Sequence, residues 1–259
     1  MTTKNIADQD RLIFALDVPD CARARELATE LDDAVTFYKI GLELMMTGGY
    51  FELLEWLLER DKKVFCDLKF FDIPATVGSA VRQLKDRGAS FVTVHGNQSI
   101  MEAAAANKGD SLKVLGVTVL TSLDRGDLDD LGFACDIEEL VISRARRALQ
   151  AGCDGVISSG LEVAKLRAEV DSKLLVITPG IRPVDNKPAN DTWEAAMPGS
   201  GQWEAAMPAT DQKRVVTVES AFANGADYIV VGRPIRDAAD PRAAAEAIQA
   251  TIASQMAAR

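Results

Sequence analysis

A single histidine, His95, and four scattered cysteines leave few soft metal ligands in a chain of 259 residues. Cys21, Cys66, Cys135 and Cys153 form no C-x-x-C pair, which argues against both a zinc site and a disulfide framework. Reduced thiols, and with them a cytoplasmic location, are the expectation. No apolar run approaches the roughly 20 residues of a membrane span. The opening Met1-Thr-Thr-Lys-Asn5 lacks the apolar stretch of a signal peptide. Positive charge is also scarce: 29 Lys and Arg against 39 Asp and Glu give a net charge of −10. That balance argues against a general nucleic-acid binder but leaves room for a local basic pocket around a phosphate. With 47% hydrophobic and 26% charged residues, the composition is that of a folded globular protein rather than a disordered or collagen-like one.

What is present is an alternation. Short β-branched runs at 12–18, 36–40, 64–70, 91–95, 114–120, 155–158, 174–178 and 228–231 are mostly continuous apolar stretches, as parallel strands covered on both faces require. Amphipathic segments such as 21–31, 50–60, 75–87, 136–151 and 161–169 lie between them, and an Ala-rich helix over 239–258 closes the chain. Eight strands each followed by a helix, in about 250 residues, predict a single (β/α)8 barrel spanning 1–259. A doubly wound open sheet is the alternative. Its dinucleotide-binding form loses support because no G-x-G-x-x-G follows the first strand.

One segment departs from the alternation. Trp193-Glu-Ala-Ala-Met-Pro198 recurs identically as Trp203-Glu-Ala-Ala-Met-Pro208, joined by Gly199-Ser-Gly-Gln202. No such repeat occurs elsewhere, so it is not a solenoid period. It reads as an insertion or duplication over 192–210 in the connection after the seventh strand. The plainer reading is an exposed loop with a helical turn in each copy, ended by its proline.

The strongest chemical signal is Asp67-Leu-Lys69-Phe-Phe-Asp72-Ile-Pro74. Asp67 and Lys69 are two apart in an extended strand and share a face. Lys39 and Asp17 stand near the ends of the second and first strands, so several charges converge on one barrel mouth, the catalytic face of such folds. A rim ion-pair network is the competing reading. A second signal is Arg182 after the seventh strand with Gly232-Arg233 after the eighth. The loops at those two positions commonly hold phosphate, and arginine can grip two of its oxygens. Two solvated rim arginines are the alternative.

These residues, in this order, resemble the orotidine 5′-monophosphate decarboxylase family. The matching stretches are Phe14-Ala-Leu-Asp17, Tyr38-Lys39-Ile-Gly41, the Asp67–Pro74 segment, Val92-Thr-Val-His95, Val117-Thr-Val-Leu-Thr-Ser122, Thr178-Pro-Gly-Ile-Arg182, Asp211-Gln-Lys-Arg214 and Val231-Gly-Arg-Pro234. Phe71 and Ala75 depart from the histidine and asparagine that many bacterial members carry there. The resemblance implies a charged array of Lys39, Asp67, Lys69 and Asp72, with Lys69 delivering a proton to a C6 carbanion. It implies that Asp67 lies beside the departing carboxylate and that Asp72 enters the partner's site in a homodimer. It further implies Asp17 at the ribose, Thr76 near the sugar, Thr121 near the pyrimidine, and Arg182, Gln212, Gly232 and Arg233 at the phosphate. Neither metal nor cofactor is implied, and His95 is read as structural. Removing 192–210 would rejoin Asp191 to Asp211 and restore an uninterrupted phosphate loop.

Two other readings stay open. A related barrel lyase, such as a 3-keto-gulonate-phosphate decarboxylase, shares the Asp-x-Lys-x-x-Asp element but uses magnesium, and Lys39 stands where its acidic ligand would be needed. Alternatively the barrel is a scaffold that displays the duplicated peptide to an unknown partner.

Overall fold

The computed structural model describes residues 4–182 and 214–258. Eight parallel strands close on themselves in sequence order: β1 (Leu12–Ala15), β2 (Phe37–Gly41), β3 (Lys63–Phe70), β4 (Phe91–His95), β5 (Lys113–Val117), β6 (Gly155–Ile157), β7 (Leu175–Thr178) and β8 (Tyr228–Val231). The closing ladder pairs Leu12 with Ile229 and Phe14 with Val231. This is the (β/α)8 barrel expected from the alternation.

Around it lie α1 (Cys21–Leu31), α2 (Leu42–Met46), α3 (Tyr50–Leu58), α4 (Pro74–Lys85), α5 (Gln98–Asn107), α6 (Arg125–Asp130), α7 (Ile137–Gln150), α8 (Val163–Glu169), α9 (Val218–Ala223), α10 (Arg233–Arg236) and α11 (Pro241–Ala257). Their starts follow local chemistry. Asp20, Asp136 and Asp240 each accept a main-chain N–H three residues on, at 2.8, 2.8 and 2.9 Å, and α4 opens on Pro74. The sequence did not mark α2, α6, α9 and α10, because helices of six residues or fewer show no periodic face. It also missed α5, whose four consecutive alanines blur the contrast between faces. The first and fifth strands are shorter than expected, ending at Ala15 and Val117 rather than at 18 and 120. Beyond those residues the chain leaves the ladder for the loops at the mouth. Asp17 therefore stands past the end of β1.

Strand alternation divides the apolar residues into two cores. Phe14, Tyr38, Val64, Val92, Val114 and Ile229 pack between strands and helices. Ile13, Phe37, Phe65, Phe91, Leu115, Ile177 and Tyr228 fill the barrel. Phe91 is central there, with its ring centroid 5.0 Å from Phe37, 5.2 Å from Tyr228 and 6.0 Å from Phe65. The parity that turns Phe37, Phe65 and Phe91 inward turns Lys39, Asp67 and Thr93 inward too, one layer nearer the C-terminal mouth. At the opposite face Asp227 accepts bonds from Lys4 Nζ (2.6 Å), Arg167 (2.6 Å) and the Val176 N–H (2.8 Å), tying the chain's start to β7 and β8.

The connection from β7 to α9 leaves and returns at one point. Ile181 and Val216 form an isolated parallel bridge; the Arg182 N–H donates to Val216 O at 3.0 Å and the Val216 N–H to Gly180 O at 3.1 Å. Gly160 receives Val216 so closely that a Cβ there would lie 2.3 Å from Val216 Cγ2. The expected insertion at 192–210, together with Asp191 and Asp211, falls outside the described residues.

Truncating the central ring tests the interior core. Phe91→Ala is expected to lower unfolding free energy by about 3–5 kcal/mol, because the barrel cannot collapse into the space left. Urea denaturation measures it, and a loss below about 1 kcal/mol would show that the aromatic layer does not hold the barrel.

Candidate active site

Above the aromatic layer the charged residues are packed around Asp67. Lys69 Nζ lies 2.9 Å from Asp67 Oδ2 and Lys39 Nζ 3.6 Å from the same oxygen. Lys39 also donates to Asp17 Oδ1 at 2.8 Å. Thr93 Oγ1 donates to Asp67 Oδ1 at 2.8 Å, so both carboxylate oxygens are engaged. Lys39 is only 8% exposed. Charges this deep are tolerated only when paired and hydrogen-bonded, as these are.

The electrostatics follow from that packing. Burial works against the Lys39 ammonium, but the Asp67 and Asp17 carboxylates outweigh it and raise its pKa above the ordinary lysine value. Burial likewise pushes Asp67 toward neutrality, whereas Lys39 and Lys69, with the bonds from Lys69 and Thr93, pull its carboxyl below the usual range. Lys39 and Asp67 are therefore both ionised around neutrality. His95, half-buried at the end of β4, is lowered by burial, then by Arg144 and Lys69, and its ring lies 4.8 Å from that of Phe71.

Lys69 reaches its place by a break in regularity. The β3–β4 pairing shifts between Cys66 and Phe70, and Lys69 takes φ +46°, a left-handed conformation uncommon for a long side chain. The shared face of Asp67 and Lys69 is thus attained through a bulge, not through the plain extended strand that their spacing predicts.

A cavity of about 730 Å³ opens over the array, lined by Asp17, Lys39, Asp67, Lys69, Thr121, Arg182, Gly232 and Arg233 among others. Arg236 also lines it and donates to the Asp17 carbonyl at 2.6 Å. Three arginines thus line one cavity in a chain of net charge −10, a local reversal suited to a phosphate. Asp72 and Thr76 are exposed and do not line this cavity. Gln212 lies outside the described residues. The sequence reading passed over Thr93 and Arg236. The inward parity of 91–95 could have marked the first, since a polar residue interrupts an inward apolar row.

Arg214, only 9% exposed, is paired with Glu162 at 2.5 Å and donates to Val119 O at 3.2 Å and Leu120 O at 3.0 Å. It joins the return of the β7–α9 connection to the β5–α6 loop that carries Thr121.

Fold and site together define a class: a (β/α)8-barrel enzyme with a lysine–carboxylate array beside an arginine-lined wall. Residues 10–248 match the orotidine 5′-phosphate decarboxylase / HUMPS family. The chain is 61% identical over 252 residues to the orotidine 5′-phosphate decarboxylase of Methylococcus capsulatus, covering 97% of this chain and 96% of that one. It is 48% identical over 255 residues to that of Stenotrophomonas maltophilia, covering 98% and 97%. The crystal structure of orotidine 5′-phosphate decarboxylase from Lactobacillus acidophilus superposes with a TM-score of 0.77 at 31% identity, over 94% of this chain and 99% of that one. This chain belongs to the orotidine 5′-phosphate decarboxylase family.

The pKa directions set a pH signature. Asp67 is held below the ordinary 3.8, so the stability it lends is present above 3.8 and lost as pH falls through its depressed value. Lys39 is held above 10.5, so its share is complete below 10.5 and lost as pH rises through its raised value. The gap in unfolding free energy between wild type and Asp67→Asn should be level between these limits and narrow below 3.8. A gap that widens on acidification would contradict the assigned ionisation.

Proposed function

We propose that this chain decarboxylates orotidine 5′-phosphate to uridine 5′-phosphate, the closing reaction of pyrimidine nucleotide synthesis, without metal or organic cofactor. The observation that carries the reading is the Lys39–Asp67–Lys69 array at the floor of a cavity that also presents Arg182 and Arg233. In the reaction the C6–carboxyl bond breaks, CO2 departs, and the electron pair stays on C6. The Lys69 ammonium stabilises that carbanion and then donates its proton to C6, recovering one from water. Asp67 lies beside the departing carboxylate and orients Lys69, while Lys39 balances Asp67 and holds Asp17 toward the ribose. Thr121 borders the pyrimidine; Arg182, Gln212, Gly232 and Arg233 take the phosphate.

Magnitudes divide the work. A positioned acid contributes about 10²–10⁴-fold, or roughly 3–5 kcal/mol. Enzymes lower barriers by about 8–23 kcal/mol, so Lys69 alone covers a fraction. The remainder falls to the preorganised charges and to phosphate binding used away from the reacting carbon.

The reading includes a homodimer in which Asp72 completes the partner's site. Asp72 is exposed, its carboxylate accepts only its neighbour's N–H (Ile73, 2.6 Å), and it makes no ion pair among the described residues. It sits between Phe71 and Ile73, 62% and 66% exposed, near-adjacent apolar side chains suited to cover by a second subunit. Thr76, exposed in the first turn of α4, belongs to the same surface. The four cysteines are unpaired, in keeping with a cytoplasmic enzyme, and no helix among the described residues is long and apolar enough to cross a membrane. We read 192–210 as an insertion in the phosphate loop, supported by the pinned base at Ile181 and Val216.

A magnesium-dependent barrel lyase is disfavoured by the donor set. The Lys39 ammonium occupies the place between Asp17 and Asp67 that a divalent ion would need. Decay of orotidine 5′-phosphate absorbance should therefore persist in EDTA, and its loss on chelation would favour the magnesium chemistry. Lys69→Ala should reduce turnover at least a hundredfold while uridine 5′-phosphate still binds. Substantial retained turnover would remove Lys69 from its role. Mixing Lys69→Ala and Asp72→Ala proteins under subunit exchange should restore activity, because one site in each heterodimer carries neither defect. Failure despite proven exchange would make each subunit self-sufficient. Deleting 192–210 should leave the fold intact and lower KM, since closing a loop of that length costs only about 1–2 kcal/mol; unfolding on deletion would place the segment in the core.

A further inference from the structure

Among the described residues, Thr93 is the buried polar residue that touches both Asp67 and Lys69 and has no part in the proposed chemistry. It is fully buried, on β4 directly across from the bulge in β3. Its hydroxyl donates to Asp67 Oδ1 at 2.8 Å and accepts the Lys69 main-chain N–H at 2.9 Å. The hydroxyl thus acts as acceptor on one side and donor on the other, its single proton committed to the Asp67 carboxylate. The N–H bond also meets a local need: where the β3–β4 register shifts, a strand carbonyl no longer serves Lys69, and a buried N–H left without a partner is costly. One oxygen thus substitutes for the missing ladder bond and fixes the carboxylate that faces both ammoniums.

We infer that Thr93 is a positioning residue for the decarboxylation, its single hydroxyl holding Asp67 and the left-handed Lys69 backbone in the geometry that keeps the Lys69 ammonium beside Asp67 in the cavity. This rests on the roles proposed for Asp67 and Lys69. Thr93 is fully buried and does not line the cavity, so it acts through those two residues. Loss of the hydroxyl should therefore lower kcat and leave ground-state binding of the nucleotide nearly unchanged, since the arginine wall is untouched.

The test compares Thr93→Val, which keeps the shape and removes both bonds, with Thr93→Ser, which keeps the hydroxyl. For Thr93→Val we expect kcat to fall roughly 10- to 100-fold, as the loss of a charge-assisted bond and of a main-chain partner implies. The dissociation constant of uridine 5′-phosphate, measured by calorimetry, should move less than about threefold. Thr93→Ser should recover most of the lost kcat. Thermal unfolding of each variant with bound product gives the folded fraction against which kcat is expressed. If Thr93→Val does not fold, Thr93→Ala against Thr93→Ser makes the same comparison of hydroxyl absent and present. Wild-type kcat in the variant lacking the hydroxyl overturns the inference, and so does an equal loss in Thr93→Ser. A matched loss in product binding and kcat also overturns it, because that pattern belongs to general damage. Lys69→Ala, run alongside, separates the two levels. If it keeps substantial turnover, the underlying reading fails; if it is inactive while Thr93→Val is unimpaired, only the role of Thr93 fails.

Discussion

Everything at the mouth of this barrel depends on one carboxylate being held ionised where burial opposes it. Asp67 keeps its charge because ammonium groups stand at 2.9 and 3.6 Å from one oxygen and a hydroxyl at 2.8 Å from the other. The dependence runs both ways. Lys39 is almost fully buried and keeps its proton because Asp67 and Asp17 face it. Removing one partner from such a set strands the others, which is why buried ion pairs break at far greater cost than they repay when intact. The aromatic floor formed by Phe37, Phe65, Phe91 and Tyr228 closes the barrel beneath the array and keeps water from that side. Low polarity below and solvent above make the array strongly interacting and still reachable by substrate.

The same economy of parts governs the opposite wall of the cavity. An acidic chain would repel a nucleotide, yet Arg182, Arg233 and Arg236 line the cavity that the array floors. Two of the three come from one short stretch, because only Gly232 separates the end of β8 from α10, which begins with Arg233. Lys39, Lys69 and the three arginines outnumber Asp17, Glu43 and Asp67 around the cavity, so the local charge at the mouth is opposite in sign to the net charge. Arg214 adds a mechanical link. By gripping Glu162 and the Val119 and Leu120 carbonyls it fastens the return of the β7–α9 connection to the loop that carries Thr121.

Much of this was legible before any fold was in hand. The alternation of apolar runs and amphipathic segments specified the barrel, because parallel strands buried on both faces leave that trace. The spacing of Asp67 and Lys69 placed both on one face, and Gly232-Arg233 stood out as a pair that the structure puts on the cavity wall. Short helices escaped notice for want of periodicity, and strand ends at 18 and 120 were overrun because apolar character continues past the last ladder bond. Thr93 was passed over inside a strand whose alternation already pointed it inward.

Local sequence, then, determined which residues face the barrel interior, since side chains alternate along any extended strand whatever its neighbours. Tertiary structure alone decided how far apart the charges come to rest. The bulge that gives Lys69 a left-handed backbone arises from register between β3 and β4, and no local propensity of Lys69 would produce it. The bridge of Ile181 to Val216 across a long connection is likewise a property of the closed barrel. So are the pKa directions of Asp67 and Lys39, because ionisation responds to distance and burial, and both are set only when eight strands meet.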